Sequence, residues 1–200
     1  MNTLENFFCS SSLWRYLTER HLLPWVLSGA NLGDHLLEIG AGFGAATGAL
    51  RERVARVTSL EYSHGSAVRI KARHDAFAPR IVQGDAARLP FADGSFSSAV
   101  AILTLHHLKS GELQNLTFAE VFRVLRPGGF FLAFEISDSW LHRKAHFRST
   151  FTPLVPGSAF ARLTSAGFSR ISVNFQRGGF RLSAVRAKAE TNLAQQACTG

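Results

Sequence analysis

His35-Leu36-Leu37-Glu38-Ile39-Gly40-Ala41-Gly42-Phe43-Gly44 sets the fold of this 200-residue chain. Leu36, Leu37 and Ile39 make a short apolar strand that runs straight into alternating glycines, and the stretch from Ala45 to Val54 is built from Ala, Leu and Arg, which favour helix. A strand, a glycine turn and a helix in that order let the backbone approach a ligand closely and aim N–H groups at it. Alone the turn is ambiguous, because Gly40-x-Gly42-x-x-Ala45 also satisfies the dinucleotide-binding fingerprint.

Outward from this unit, strand-length apolar runs alternate with helix-period segments. Arg56 to Glu61 reads as a second strand, followed by a helix from Ser63 to about His74, and Arg80 to Gln83 as a third before the loop Gly84-Asp85-Ala86-Ala87-Arg88. Ser98 to Leu103 has the continuous apolar character of a strand buried on both faces. Gly111 to Leu125 is predicted helical, with Leu113, Leu116, Phe118, Val121, Phe122 and Leu125 on one face, and Arg126-Pro127-Gly128-Gly129 must end it. Phe130 to Ile136 is a fifth strand and Ala159 to Ala166 a helix stopped by Gly167. Ile171 to Phe175 and Phe180 to Val185 flank Arg177-Gly178-Gly179 as a hairpin. The expected fold class is therefore α/β, a Rossmann-like three-layer sandwich whose parallel sheet carries one antiparallel strand at its end. Residues 1–30, with Phe7, Phe8, Leu13, Trp14, Tyr16, Leu17 and Trp25, are expected to form a helical cap or lid; 31–190 form the main domain and 191–200 a flexible tail.

Composition excludes several classes. At 46% hydrophobic and 18% charged residues the chain can bury a core and is not disordered. No apolar stretch reaches the ~18 residues of a membrane span, and Leu22 to Leu27 is interrupted by Pro24. The N-terminus lacks a basic region followed by an apolar one, so it does not read as a secretion signal and the expected location is cytoplasmic. Cys9 and Cys198 form no disulfide framework or metal cluster. The net charge of +8 comes from the C-terminal part, since between Asp138 and Glu190 there is no acid but Arg143, Lys144, Arg148, Arg162, Arg170, Arg177, Arg181, Arg186 and Lys188. That asymmetry reads either as attraction to an anionic partner or as a solvated Arg-rich surface.

Glu61 closes the second strand, where a carboxylate can accept from both hydroxyls of a ribose in NAD or S-adenosylmethionine alike. Glu38 separates the two, because a carboxylate two residues before the first glycine opposes a pyrophosphate but favours a cationic amino acid. Asp85 is placed to accept from an adenine amine and the Ala86 amide to donate to a ring nitrogen. With Leu37-Glu38-Ile39-Gly40-Ala41-Gly42-Phe43-Gly44, Glu61, Gly84-Asp85-Ala86-Ala87-Arg88-Leu89-Pro90-Phe91, Leu105-His106-His107-Leu108 and Leu125-Arg126-Pro127-Gly128-Gly129 in register, the chain resembles the class I S-adenosylmethionine-dependent methyltransferases of the small-molecule and lipid-quinone type. The resemblance implies a seven-stranded sheet of order 3-2-1-4-5-7-6 with strand seven antiparallel, and S-adenosyl-L-methionine over the ends of strands one to three. It implies that Glu38 and Gly40 hold the methionine end, that Gly42 passes under the cofactor in the turn that Gly44 completes, that Glu61 binds the ribose, that Tyr62 packs on the adenine face and that Asp85 and Ala86 read its edge. Ser97 stands where many relatives carry an acid, a departure expected to affect loop packing.

A sulfonium methyl is already activated, so a general base is optional. The candidates are His106 and His107 at the end of strand four, with His142 and His146 as a second pair. In this family residues 1–30 and 138–157 would shape the acceptor, and Trp140, Arg143, Lys144, Arg148 and Phe151 point to an apolar body with an anionic end. The expected acceptor is a small molecule or lipid, with peripheral contact to a membrane surface as a third possibility. Nucleic acid is disfavoured, because Thr104-Leu105-His106-His107 replaces the Asn/Asp-Pro-Pro-Tyr/Phe motif of enzymes that methylate exocyclic amines, and no metal is expected, because the magnesium-binding acids of catechol-type enzymes are missing. Two rivals share the fold signals: a non-catalytic module binding S-adenosylmethionine or RNA, and an NAD(P)-dependent oxidoreductase.

Overall fold

The computed structural model describes residues 7–73, 80–176 and 178–188; the expected helix end at His74, the hairpin residue Arg177 and the expected tail at 191–200 lie outside them. The chain begins with α1 (Ser12–Leu17), a π-helical turn (Thr18–Leu22) and α2 (Leu23–Val26). It continues through β1 (His35–Ile39), α3 (Thr47–Arg51), β2 (Arg56–Glu61), α4 (His64–Arg73), β3 (Arg80–Gln83) and β4 (Phe96–Ile102). After a 3-10 turn (Leu105–His107) come α5 (Gly111–Val124), β5 (Leu125–Ile136), α6 (Trp140–Ala145), α7 (Pro156–Ser165), β6 (Phe168–Gln176) and β7 (Gly179–Arg186). The strands form one seven-stranded sheet of order β3-β2-β1-β4-β5-β7-β6, the order the resemblance implies. Neighbours among β1 to β5 pair parallel, whereas β7 runs antiparallel to both β5 and β6.

Strand alternation sorts the core onto two faces. Leu37, Ala99, Phe131 and Ala133 pack with Phe118, Val121 and Val124 of α5 and Leu163 of α7. Leu36, Val100, Leu132 and Phe134 face the other way, onto Leu23 and Val26 of α2 and Ala49 and Leu50 of α3. The N-terminal segment thus covers one face of the sheet, and Arg181 of β7 fastens it by donating from Nε to Val26 O and from Nη2 to Ser28 O, both at 2.7 Å. Among the described residues no helix is long and apolar enough to cross a membrane.

Element boundaries move where backbone geometry overrides propensity. The helix expected from Ala45 begins only at Thr47, because Gly40, Gly42 and Gly44 hold φ of 72°, 57° and 76° and the chain still turns through Ala46. β5 starts at Leu125 instead of Phe130: a residue before proline is pushed toward extended backbone, and the extended Leu125 already pairs with Phe96. β6 starts at Phe168, with the register shifting between Ser169 and Ser172 around Arg170 at φ 49°, so the regular alternation seen from Ile171 is only its second half. Ser97 replaces the absent acid with a structural hydroxyl that accepts from His35 N at 2.9 Å and lies 2.7 Å from Leu32 O, stitching the start of β1 to β4.

Three of the nine cations in the acid-free C-terminal stretch serve as internal caps. Arg162 donates to Asn115 Oδ1, Gln114 Oε1 and Gly111 O. Arg186 reaches Phe122 O, Arg123 O and Leu125 O at the end of α5, where a cation also suits the helix dipole. With Arg181, three of the guanidinium groups there donate to backbone carbonyls, which keeps their charge but occupies N–H groups that an anionic partner would otherwise take.

Candidate active site

The ends of β1, β2 and β4 and the loop after β3 open into one cavity of about 1130 Å³. Its floor is the glycine turn, where Gly40 N and Ala41 N both donate to Leu60 O at 2.9 and 3.2 Å, locking the turn to the end of β2. A Cβ on Gly40 would lie 2.4 Å from the Thr104 side chain, whereas the space at Gly42 is open apart from Gly40 O at 4.0 Å. Gly40 is therefore a packing requirement and Gly42 leaves room for a ligand.

Glu61 joins two turns, since one carboxylate oxygen accepts from Gly42 N and the other from Ser63 N, each at 2.8 Å. It lies at the cavity wall with its second lone pairs directed by those amides. Behind the turn, Glu38 is buried and accepts at Oε2 from the Thr47 and Ser59 hydroxyls at 2.7 and 2.6 Å. Burial raises its pKa above the ordinary carboxylate value, the two hydroxyls oppose that rise, and the nearby Glu61 charge adds to it. On the third side Asp85 Oδ1 accepts from Ala87 N at 2.9 Å, holding the loop that presents Asp85 and Ala86 to the cavity. Tyr62 stands at the mouth with 72% of its surface exposed.

The opposite wall is a histidine cluster. His106 is almost fully buried, and its Nδ1 donates to Glu135 Oε2 at 2.5 Å. Glu135 is itself fully buried, its other oxygen accepting from Thr104 N and Leu105 N at 2.9 and 2.7 Å. His107 lies 4.2 Å from the His106 ring, and His146, brought in by the end of α6, lies 5.1 Å from His106 and 5.6 Å from His107. Phe151 stacks on His146 at 4.5 Å, and His142 also lines the cavity.

The structure thus brings together Gly40, Gly42, Glu61, Tyr62, Asp85, Ala86, His106 and His107 around one space, while Glu38 and Gly44 stand behind its wall and do not line it. The residue that sequence reading missed is Glu135. Its signal was present: one carboxylate within the apolar strand Phe130 to Ile136 must find a buried partner.

Residues 37–133 match the family model described as a methyltransferase domain. The chain is 36% identical over 125 residues to a demethylmenaquinone methyltransferase of Beutenbergia cavernae and 34% identical over 102 residues to a fatty-acid O-methyltransferase of Mycolicibacterium smegmatis. These alignments cover 62% and 50% of the chain but only 48% and 36% of the relatives, so the chain spans less than half the length of either. Its fold superposes with a TM-score of 0.69 on the phosphoethanolamine N-methyltransferase 2 of Haemonchus contortus solved with S-adenosyl-L-methionine, at 14% identity over 94% of this chain and 61% of that one. Glu61, Asp85 and the open backbone at Gly42 supply acceptors and space that a nucleoside with a cationic sulfur would fit. The seven-stranded topology, the glycine turn and the matched family model converge on one assignment: the chain belongs to the class I methyltransferases, which use S-adenosyl-L-methionine as cofactor.

Proposed function

We propose that the chain transfers a methyl group from S-adenosylmethionine to a small-molecule or lipid-like acceptor that enters beside the histidine cluster. The observation that carries this reading is the single cavity of about 1130 Å³. A drug-sized ligand needs roughly 300–1000 Å³, so there is room for an acceptor beside the cofactor. Phe8, Trp14, Phe134 and Ile136 give the acceptor half an apolar lining, in keeping with relatives named for a menaquinone and a fatty acid.

When bound, the cofactor would supply an activated methyl on a sulfonium, open to in-line attack by the acceptor's N, O or C atom with the neutral thioether as leaving group. In this reading Glu61 accepts from the ribose hydroxyls, Tyr62 covers the adenine face, and Asp85 with the Ala86 amide reads its edge. Gly40 and Gly42 let the methionine end approach the backbone, and Glu38 acts on it from behind the turn, through water. His106, oriented by Glu135, and His107 are the groups placed to take a proton from the acceptor. Within the segment expected to form a cap, Phe8 and Trp14 line the cavity and would close over the acceptor. Lys144 and Arg148 do not line the cavity, so an anionic end of the acceptor would have to project beyond it to meet them, and exposed Trp140, Leu141 and Phe147 would touch a membrane surface.

The test is calorimetric titration with S-adenosylmethionine, followed by radiolabelled methyl transfer to cell extract divided into lipid, small-molecule, RNA and protein pools. The expected result is label in the lipid or small-molecule pool, and at least tenfold weaker cofactor binding in Glu61→Gln, whose amide must turn a donor toward Gly42 N or Ser63 N. Absence of binding heat, or cofactor binding without label in any pool, sinks the reading.

A further inference from the structure

We propose that His106, His107 and His146 form a binding site for one zinc-class divalent ion, which would hold an oxygen of the methyl acceptor. One ring nitrogen of each residue falls within 4.8 Å of the others. Three imidazoles on a tetrahedral ion at about 2.0–2.1 Å place their nitrogens about 3.3 Å apart and their ring centroids about 5 Å apart. The observed centroid separations of 4.2, 5.1 and 5.6 Å bracket that value, and bringing nitrogens that lie within 4.8 Å to about 3.3 Å takes side-chain adjustments of up to about 1.5 Å.

A second, independent observation concerns the other nitrogens. Metal-ligating histidines donate their second ring N–H to a carboxylate or a carbonyl, which fixes the tautomer and turns the opposite nitrogen toward the ion. His106 Nδ1 donates to the buried Glu135 at 2.5 Å, and His146 Nδ1 donates to His142 O at 2.8 Å. Both rings thereby present Nε2, and Phe151 stacked on His146 restrains its tilt. All three histidines line the cavity, so the fourth coordination position opens toward the acceptor. Three protein ligands with one open position is the arrangement of catalytic zinc, and imidazole ligands suit zinc or cobalt better than magnesium.

The role rests on the proposed methyl transfer. An acceptor hydroxyl on the ion loses its proton to solvent, and its oxygen forms the new O–C bond as the C–S bond breaks. The C–S electron pair stays on sulfur, giving neutral S-adenosylhomocysteine, so the negative oxygen and positive sulfonium cancel. With the ion bound, the histidines hold the acceptor's oxygen and do not themselves accept its proton.

Chelator-treated protein carrying no affinity tag is titrated with zinc chloride by calorimetry, without cofactor, and with cobalt chloride by visible spectroscopy. The expected result is one ion per chain and intense tetrahedral cobalt bands. His146→Ala and His107→Ala should each weaken zinc at least 100-fold with an unchanged melting curve before metal is added. Glu135→Gln should keep the stoichiometry but lose about 10–100-fold in affinity. No saturable zinc binding, or binding that survives in the His107→Ala/His146→Ala double variant, overturns the site. Methylation unaffected by stripping the ion overturns its part in transfer. Because zinc is titrated without cofactor, its failure with S-adenosylmethionine still binding removes only this site, whereas failure of the cofactor titration with zinc still binding removes the proposed transfer.

Discussion

Glu38 near the end of β1 and Gly40, two residues on in the turn, are constrained by different physics. Burial favours the neutral form of Glu38, so its folded pKa lies above the ordinary glutamate value of 4.5. Above about pH 4.5 the unfolded chain releases this proton before the folded one does, and the contribution present at lower pH is lost as pH rises through the folded pKa. Denaturant unfolding at stepped pH should show that decline, at most about 1.4 kcal/mol per pH unit, and Glu38→Gln should flatten it. At Gly40 the limit is steric: a φ of 72° and a Cβ 2.4 Å from Thr104 oppose any side chain. Gly40→Ala should lose about 1–3 kcal/mol of stability and most cofactor affinity, read by thermal melting and by S-adenosylmethionine titration.

Elements are held here by side chains that cap backbone carbonyls. α2 has four residues, too few to stand alone, and it persists because Leu23 and Val26 are buried on the sheet and Arg181 takes up two carbonyls at its end. Burial lowers the Arg181 pKa from its ordinary value, a cost these hydrogen bonds offset. Arg181→Ala should cost about 1–3 kcal/mol and raise hydrogen exchange over residues 23–28 more than over β1. Unchanged exchange there would show that apolar burial alone seats the segment. The same principle explains why β5 begins early: once Pro127 excludes helix, Leu125 has a strand partner in Phe96, while Gly129, whose Cβ would meet Ser97 O and Arg126 O at 2.9 Å, lets the chain pass close to β4.

Across the whole molecule, Asp34 ties three strand starts together, receiving Arg56 from β2 and Arg126 from β5 just ahead of β1, each at 2.5 Å. These guanidinium groups lower its pKa to about 2 from the ordinary 3.8. The stabilisation is present above the unfolded value and fades as pH falls toward about 2, so acid unfolding of Asp34→Asn should be less steep between pH 3.8 and 2 than that of the native chain. At this scale, too, the cavity is assembled from separated segments: the ends of β1, β2 and β4 and the loop after β3 build one side, while His142 and His146 arrive from α6 and its C-cap, and Glu135 of β5 anchors His106.

The sequence by itself determined most of the strands, the glycine turn and the position of Glu61 and Asp85 at strand ends, because these depend on local period and on residue types readable within short windows; the sheet order came only through the resemblance that the motifs carry. Ser97 was legible as a structural departure only against the family pattern. Tertiary structure alone decided that Glu38 lies behind the crevice wall, that Arg162, Arg181 and Arg186 cap carbonyls, and that His146 joins His106 and His107 in one cluster anchored by Glu135. The direction of a buried carboxylate and the meeting of imidazoles across the sheet are set by long-range packing, which no local pattern encodes.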